Sequence, residues 1–158
     1  MAYVLIRGGV VTGVFATAQP DIDGFTEISD NDPRLLAFLS PPVSLPDQAA
    51  TELATRLGNG IVITSTGTPA LNATYALDTD SQAQIFQLGI YANQFAAFPG
   101  GATQAYPDAT GAPHTFSVAQ FVAFLRVVAP LVSAMTNVTA VMSHGGTPVW
   151  PAQTGSIP

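Results

Sequence analysis

Hydrophobic and polar positions change period along this chain, and the changes mark its elements. Residues 3–15, YVLIRGGVVTGVF, hold two β-rich runs around Gly8-Gly9. Paired glycines supply the positive φ angles that a tight turn demands, so a β-hairpin is predicted here. Residues 16–31 are rich in turn formers, with a short strand expected over 24–28. In DNDPRLLAFLSPP, Asp32 can accept a backbone N–H as N-cap, and Pro33 suits the first helical position. Leu35, Leu36 and Leu39 give this short helix an apolar face, and Pro41-Pro42 ends it. Proline fixes φ, so residues 41–46, PPVSLP, are expected to form a stiff spacer.

Beyond the spacer the helical period returns. Leu45, Ala49, Leu53 and Leu57 recur every four residues, and Gly58 is the expected glycine past the helix end. This helix is short and weakly hydrophobic, so it needs packing to persist. Residues 61–66, IVITST, read as a strand, 67–72 as a turn and 73–77 as a second strand, a hairpin over 61–77. After Leu77 the period moves to near 3.6. Ile85, Leu88, Ala92, Phe95 and Ala96 share a face that Phe86 and Ile90 widen, which predicts a helix of roughly four turns. Residues 99–117 read as a loop and a second small hairpin, with Tyr106 and Phe116 on its strands and DATGAP as its turn. Ser117 then caps a long helix. Val118, Phe121, Val122, Leu125, Val128, Val132 and Met135 form one stripe on it; Phe124, Val127 and Leu131 form another. Faces this broad predict near-complete burial, with a kink at Pro130. The tail, HGGTPVWPAQTGSIP, is expected to be extended, with Trp150 as its anchor.

The predicted class is α+β. An N-terminal hairpin lobe (1–40) and the spacer (41–46) precede a main domain (47–145), in which two short hairpins pack with helices, the last long and buried. An extended tail (146–158) follows. The 158 residues suit one domain, or a small domain with an appended lobe.

Composition adds a constraint. Only 9% of residues are charged, against about 25% in a typical domain. Such a neutral surface suits either a protein covered by neighbours in an assembly or an ordinary domain with a polar coat. Net charge is −6, with four arginines and no lysine. Affinity for nucleic acid comes mainly from cations that neutralise phosphates, so nucleic-acid binding is not expected, nor is binding to anionic membrane. The apolar window 118–135 approaches a membrane span in length. Gln120, Arg126 and Pro130 interrupt it and no basic flank orients it, so a buried core helix is expected and no membrane contact. MAYVLIRGGVV has no basic start and Arg7 breaks its apolar run, so it is not expected to be a signal peptide. The absence of cysteine excludes disulfides, thiolate catalysis and Cys-type zinc sites.

Candidate chemistry is sparse. Asp78 and Asp80 form a D-x-D, a pattern that can hold a metal, but no further oxygen ligands lie near in sequence. With Thr79 and Ser81 they stand where orphan N–H groups and the helix dipole welcome acidic and hydroxyl side chains. Thr79–Gln82 and Ser81–Gln84 both have capping-box spacing, and Asp80 is expected to contribute as an N-cap. His114 and His144 stand apart without a nucleophile elbow, and each is expected to be structural. The glycines of 58–60, 99–101 and 144–146 lack phosphate-loop spacing and its lysine. Residues 21–24, DIDG, lack the remaining ligands of a calcium loop. Asn72-Ala-Thr and Asn137-Val-Thr match a glycosylation sequon, which matters only in a secretory pathway. No catalytic residue, metal or cofactor is expected.

Two stretches carry a resemblance. YVLIRGGVVTGVF with FTEISDNDPRLLAFLSPP resembles the N-terminus of small phage and prophage tail-associated proteins. Residues 58–140 resemble a domain of unassigned function found in phage tail-fibre and tail-fibre-assembly proteins. There a hairpin feeds a capped helix, and a second hairpin with an aromatic–Asp–Gly–aromatic turn precedes a long helix starting at S/T-x-x-Q. Thr79-Asp80-Ser81-Gln82, Tyr106-Pro107-Asp108, Phe116 and Ser117-Val118-Ala119-Gln120 occupy those places, although the turn Asp-Ala-Thr-Gly-Ala-Pro is longer than the family's usual form. The resemblance implies a structural component of a phage tail, made in the bacterial cytoplasm and carried on the virion. Its partner would be a tail or fibre protein, and it would be a homo-oligomer, with a trimer as one form. Two alternatives are a tail-fibre assembly chaperone and a tail-associated carbohydrate hydrolase.

The lobe is the expected attachment module. A two-stranded hairpin is marginal in water, so Tyr3, Leu5, Val10, Val14, Phe15, Phe38 and Leu39 must be covered. They either dock on the main domain or pack on a partner by strand addition or sheet packing. Trp150 is the further candidate for partner contact.

Overall fold

The computed structural model describes residues 1–19, 21–41 and 43–158. Pro42 of the expected spacer lies outside the described residues. The chain divides into two compact units, Met1–Ser44 and Leu45–Pro158.

In the first unit, β1 (Ala2–Arg7) pairs antiparallel with both β2 (Val10–Phe15) and β3 (Phe25–Ile28), giving the order β2-β1-β3. Gly8 and Gly9 turn the hairpin at φ 58° and 83°, angles that a side chain resists. The register shifts between Leu5 and Ile6, leaving Thr12 as the extra residue of a bulge; its hydroxyl donates to the Leu5 carbonyl at 3.1 Å. The helix α1 (Pro33–Leu39) starts as predicted: Asp32 accepts from Arg34 N–H at 2.9 Å. The Arg34 guanidinium also chelates Asp32, and these bonds hold its carboxyl down to about 2. Val4, Val11, Ile28 and Leu35 form the small core between the sheet and α1.

The second unit opens with α2 (Leu45–Gly58), which starts inside the expected spacer. Pro46 fits because the first helical turn has no partner for its missing N–H. The hairpin expected over 61–77 forms from β4 (Ile61–Ser65) and β5 (Ala73–Tyr75), joined through a 3₁₀ helix, Pro69–Leu71. The extended C-terminal segment does more than trail. Its β8 (Thr154–Ile157) pairs parallel with β4, completing the order β5-β4-β8, and Ile157 is buried. A partner some ninety positions away in sequence leaves no local signal, which is why a strand was not expected there.

The helix after Leu77 is α3 (Thr79–Phe95). Its cap corrects the expectation for Asp80. Asp78 is the N-cap, with Oδ1 accepting from Asp80 N–H at 3.1 Å and Ser81 N–H at 3.0 Å. Neither expected capping box forms there: Gln82 donates to the Leu77 carbonyl at 2.6 Å, and the Ser81 hydroxyl donates to Asp78 Oδ2 at 2.7 Å. The buried face is also turned: Ile85, Gly89 and Ala92 lie inside, while Ile90 and Phe95 are 59% and 57% exposed. Gly89 explains the turn. A Cβ there would stand 2.8 Å from Leu125 Cδ2, so the helix backbone itself lies on its neighbour.

That neighbour is α4 (Val118–Ser143), which follows the hairpin of β6 (Thr103–Pro107) and β7 (Pro113–Ser117). Here the capping box forms between Ser117 and Gln120. Phe121, Phe124, Val128, Leu131 and Met135 are buried, drawn from both expected stripes, while Val122, Leu125, Val127 and Val132 are half-buried. Burial is therefore one-sided and not near-complete. The helix runs through Pro130 without a break. Pro130 and Arg126 are exposed, on the side where water can meet the carbonyl that proline leaves unpaired. By length and composition α4 could cross a membrane, yet its buried stripe packs against β4, β5 and the β6–β7 hairpin. The packing is aromatic at its centre: Tyr75, Tyr106, Phe116, Phe121 and Phe124 stack edge and face with centroids 5.0–6.3 Å apart.

Candidate functional site

The sheet of the first unit has two apolar faces. Paired residues of neighbouring strands point the same way, and residues two apart share a side. Val4, Val11 and Ile28 therefore face α1, and Tyr3, Leu5, Phe15 and Phe25 face the opposite side. On that side Tyr3 and Phe25 stack with centroids 6.3 Å apart, and Phe15 tilts onto Phe25 at 5.3 Å. All four side chains are half-buried. Phe25 was not among the expected contact residues; its signal was its place in a predicted strand, out of phase with buried Ile28.

The other expected contact residues distribute differently. Val10 pairs with Arg7 at the end of the aromatic face and is 63% exposed. Val14 pairs with Val4, which puts it on the α1 side of the sheet, at the β2 edge. Phe38 and Leu39 are exposed on α1. Phe38, with Ala37, Arg34 and Pro41, lines one wall of a groove of about 360 Å³ whose other wall is Val10 and Val11. Trp150 joins none of these. It belongs to the second unit, packs against that unit's core, and carries the Arg56 guanidinium 4.5 Å above its ring; Arg56 in turn pairs with Glu52 at 2.7 Å. Trp150 is thus a structural anchor.

Groups with reactive potential are engaged. His114 Nδ1 lies 2.6 Å from the Ala70 carbonyl and Nε2 lies 3.1 Å from Asp108 Oδ2. An Asp–His pair suggests a catalytic base, but both ring nitrogens are taken and neither is free for a nucleophile. His144 ends α4, with Nδ1 2.8 Å from the Ala140 carbonyl. Asn72 of one sequon accepts the Ser65 N–H at 2.6 Å. A second hollow, between Leu53 and Leu57 of α2 and Asp78 of α3, offers a carboxylate already committed to its cap. The Ser81 N–H and hydroxyl hold Asp78 below the usual carboxylate range. Among the described residues no three His, Cys, Asp or Glu side chains gather as a metal site. What the first unit offers is surface: an aromatic sheet face and, at the other side of the sheet, a groove between β2 and α1.

No family model, no curated protein and no solved structure matches the chain.

Proposed function

We propose that this chain is a non-enzymatic structural component of a bacteriophage tail, attached through its N-terminal unit to a tail or fibre protein. The observation that carries the reading is the sheet face of Tyr3, Leu5, Phe15 and Phe25, a cluster of large apolar side chains that lies on the side away from α1 and is only half-buried. Aromatic residues enrich interface cores because they bury large rigid areas at low entropic cost. The resemblance of residues 1–42 and 58–140 to phage tail proteins supports this assembly, and a chain with only 9% charged residues suits a crowded one. In this reading the chain is made in the bacterial cytoplasm, carried on the virion, and present in several copies. The experiment is protein mass spectrometry of purified particles from producing cells. The chain is expected among the tail proteins. Its recovery only with unassembled fibre would make it an assembly chaperone, and its absence from both would end the tail reading.

A further inference from the structure

We infer that His114 is a proton-operated latch: as an imidazolium it ties the β6–β7 hairpin to the 3₁₀ helix between β4 and β5, and losing that proton releases the tie. Nδ1 faces the Ala70 carbonyl at 2.6 Å and Nε2 faces Asp108 Oδ2 at 3.1 Å. Both partners only accept. A neutral imidazole carries a single N–H, so one of its nitrogens would present a lone pair to an acceptor. Only the cation satisfies both contacts; the neutral ring keeps its one proton on Nε2, against the carboxylate as the stronger acceptor, so the Nδ1 proton is the one lost and the Ala70 contact the one that opens.

Neither partner can readily step aside. Asp108 Oδ1 is held by the Thr110 N–H at 2.8 Å, the Thr110 hydroxyl at 2.7 Å and the Ala112 N–H at 3.0 Å. Ala70 sits in the 3₁₀ helix Pro69–Leu71, which carries no titratable side chain. The titratable groups facing the ring are Asp108 on its own hairpin and Tyr75 on β5, whose ring meets the imidazole edge-on at 5.6 Å. Burial pushes the Tyr75 hydroxyl up, so it stays neutral. The side chains of His114 and Asp108 are 16% and 12% exposed, which limits screening of the pair. Asp108 first, then the Ala70 carbonyl, raises His114 above the ordinary histidine value of 6.5. The tie is therefore complete below pH 6.5 and is lost as pH rises through the folded value. The Ala109 N–H to Thr74 carbonyl bond, 2.8 Å, does not titrate. Deprotonation thus loosens the hairpin without detaching it.

The test is a proton-resolved NMR titration of the full chain, following both imidazoles and the amides of 70–72 and 108–112. His114 is expected to titrate above 6.5, and those amides to move with the same midpoint. A midpoint at or below 6.5, or amides that ignore it, overturns the latch. A second arm follows thermal unfolding from about pH 6 to about pH 9. The unaltered chain should lose about 2–4 °C, the worth of roughly one hydrogen bond in a chain this size. His114→Gln should flatten that decline and His144→Gln should keep it. An equal decline in His114→Gln refutes the proposal, and if that variant does not fold the titration alone decides.

Discussion

Asp78 and Asp80 stand two positions apart, yet only the first closes the helix end. Asp78 takes two backbone N–H groups and the Ser81 hydroxyl, whereas Asp80 lends its own N–H to that cap. Asp78→Ala should therefore cost about 0.5–2 kcal/mol in a denaturant titration. Asp80→Ala loses only its dipole interaction, about 0.3–1 kcal/mol. Equal losses would contradict the assignment. The same bonds set a pH dependence. Asp78 is held below its ordinary range, so its contribution is present above about pH 4 and fades as pH falls. Sequence spacing located this cluster correctly, but a cap is chosen by which residue leaves helical φ/ψ, and four consecutive polar candidates share the same pattern. Gly89 shows the opposite limit. Glycine inside a helix reads as a weakness, and only the Leu125 side chain across from it reveals a close helix contact. Gly89→Ala should destabilise by about 1–3 kcal/mol through overpacking, measured by calorimetry. A neutral or stabilised variant would mean that Leu125 yields freely.

At the scale of elements, local signals were reliable where the sequence carries its own punctuation. The Gly8-Gly9 turn, the Asp32-Pro33 start, the Ser117–Gln120 box and both hairpins of the second unit follow from neighbours in sequence. Faces were less legible. Period alone put Phe95 inside and allowed α4 to be buried all round, because apolar residues outnumber the surface that neighbours can cover. The aromatic sheet face was only half visible: Tyr3, Leu5 and Phe15 were expected contacts, but Phe25 joins them through a third strand. The strand β8 was invisible because parallel pairing to β4 is a long-range event. Its energetic weight can be measured. Ile157 is 2% exposed in the core of the second unit, so Ile157→Ala should cost about 2–5 kcal/mol in denaturant unfolding. A loss well under one kcal/mol would mean that β8 is only loosely seated.

At the scale of the molecule, the division at Ser44 predicts independence. The second unit holds its own aromatic core and closes its own three-stranded sheet. A chain starting at Leu45 should remain soluble and melt cooperatively by circular dichroism; aggregation or a featureless melt would show that the first unit belongs to its core. We propose that the aromatic face of the first unit attaches this chain to a tail. The most direct test is quantitative mass spectrometry of purified particles assembled with the unaltered chain or with a Tyr3→Asp, Phe25→Asp variant, each checked for folding beforehand. The unaltered chain is expected at a fixed ratio to the tail proteins and the folded variant depleted at least tenfold, about 1.4 kcal/mol of attachment. Equal incorporation of the two, or no chain in either preparation, would contradict it.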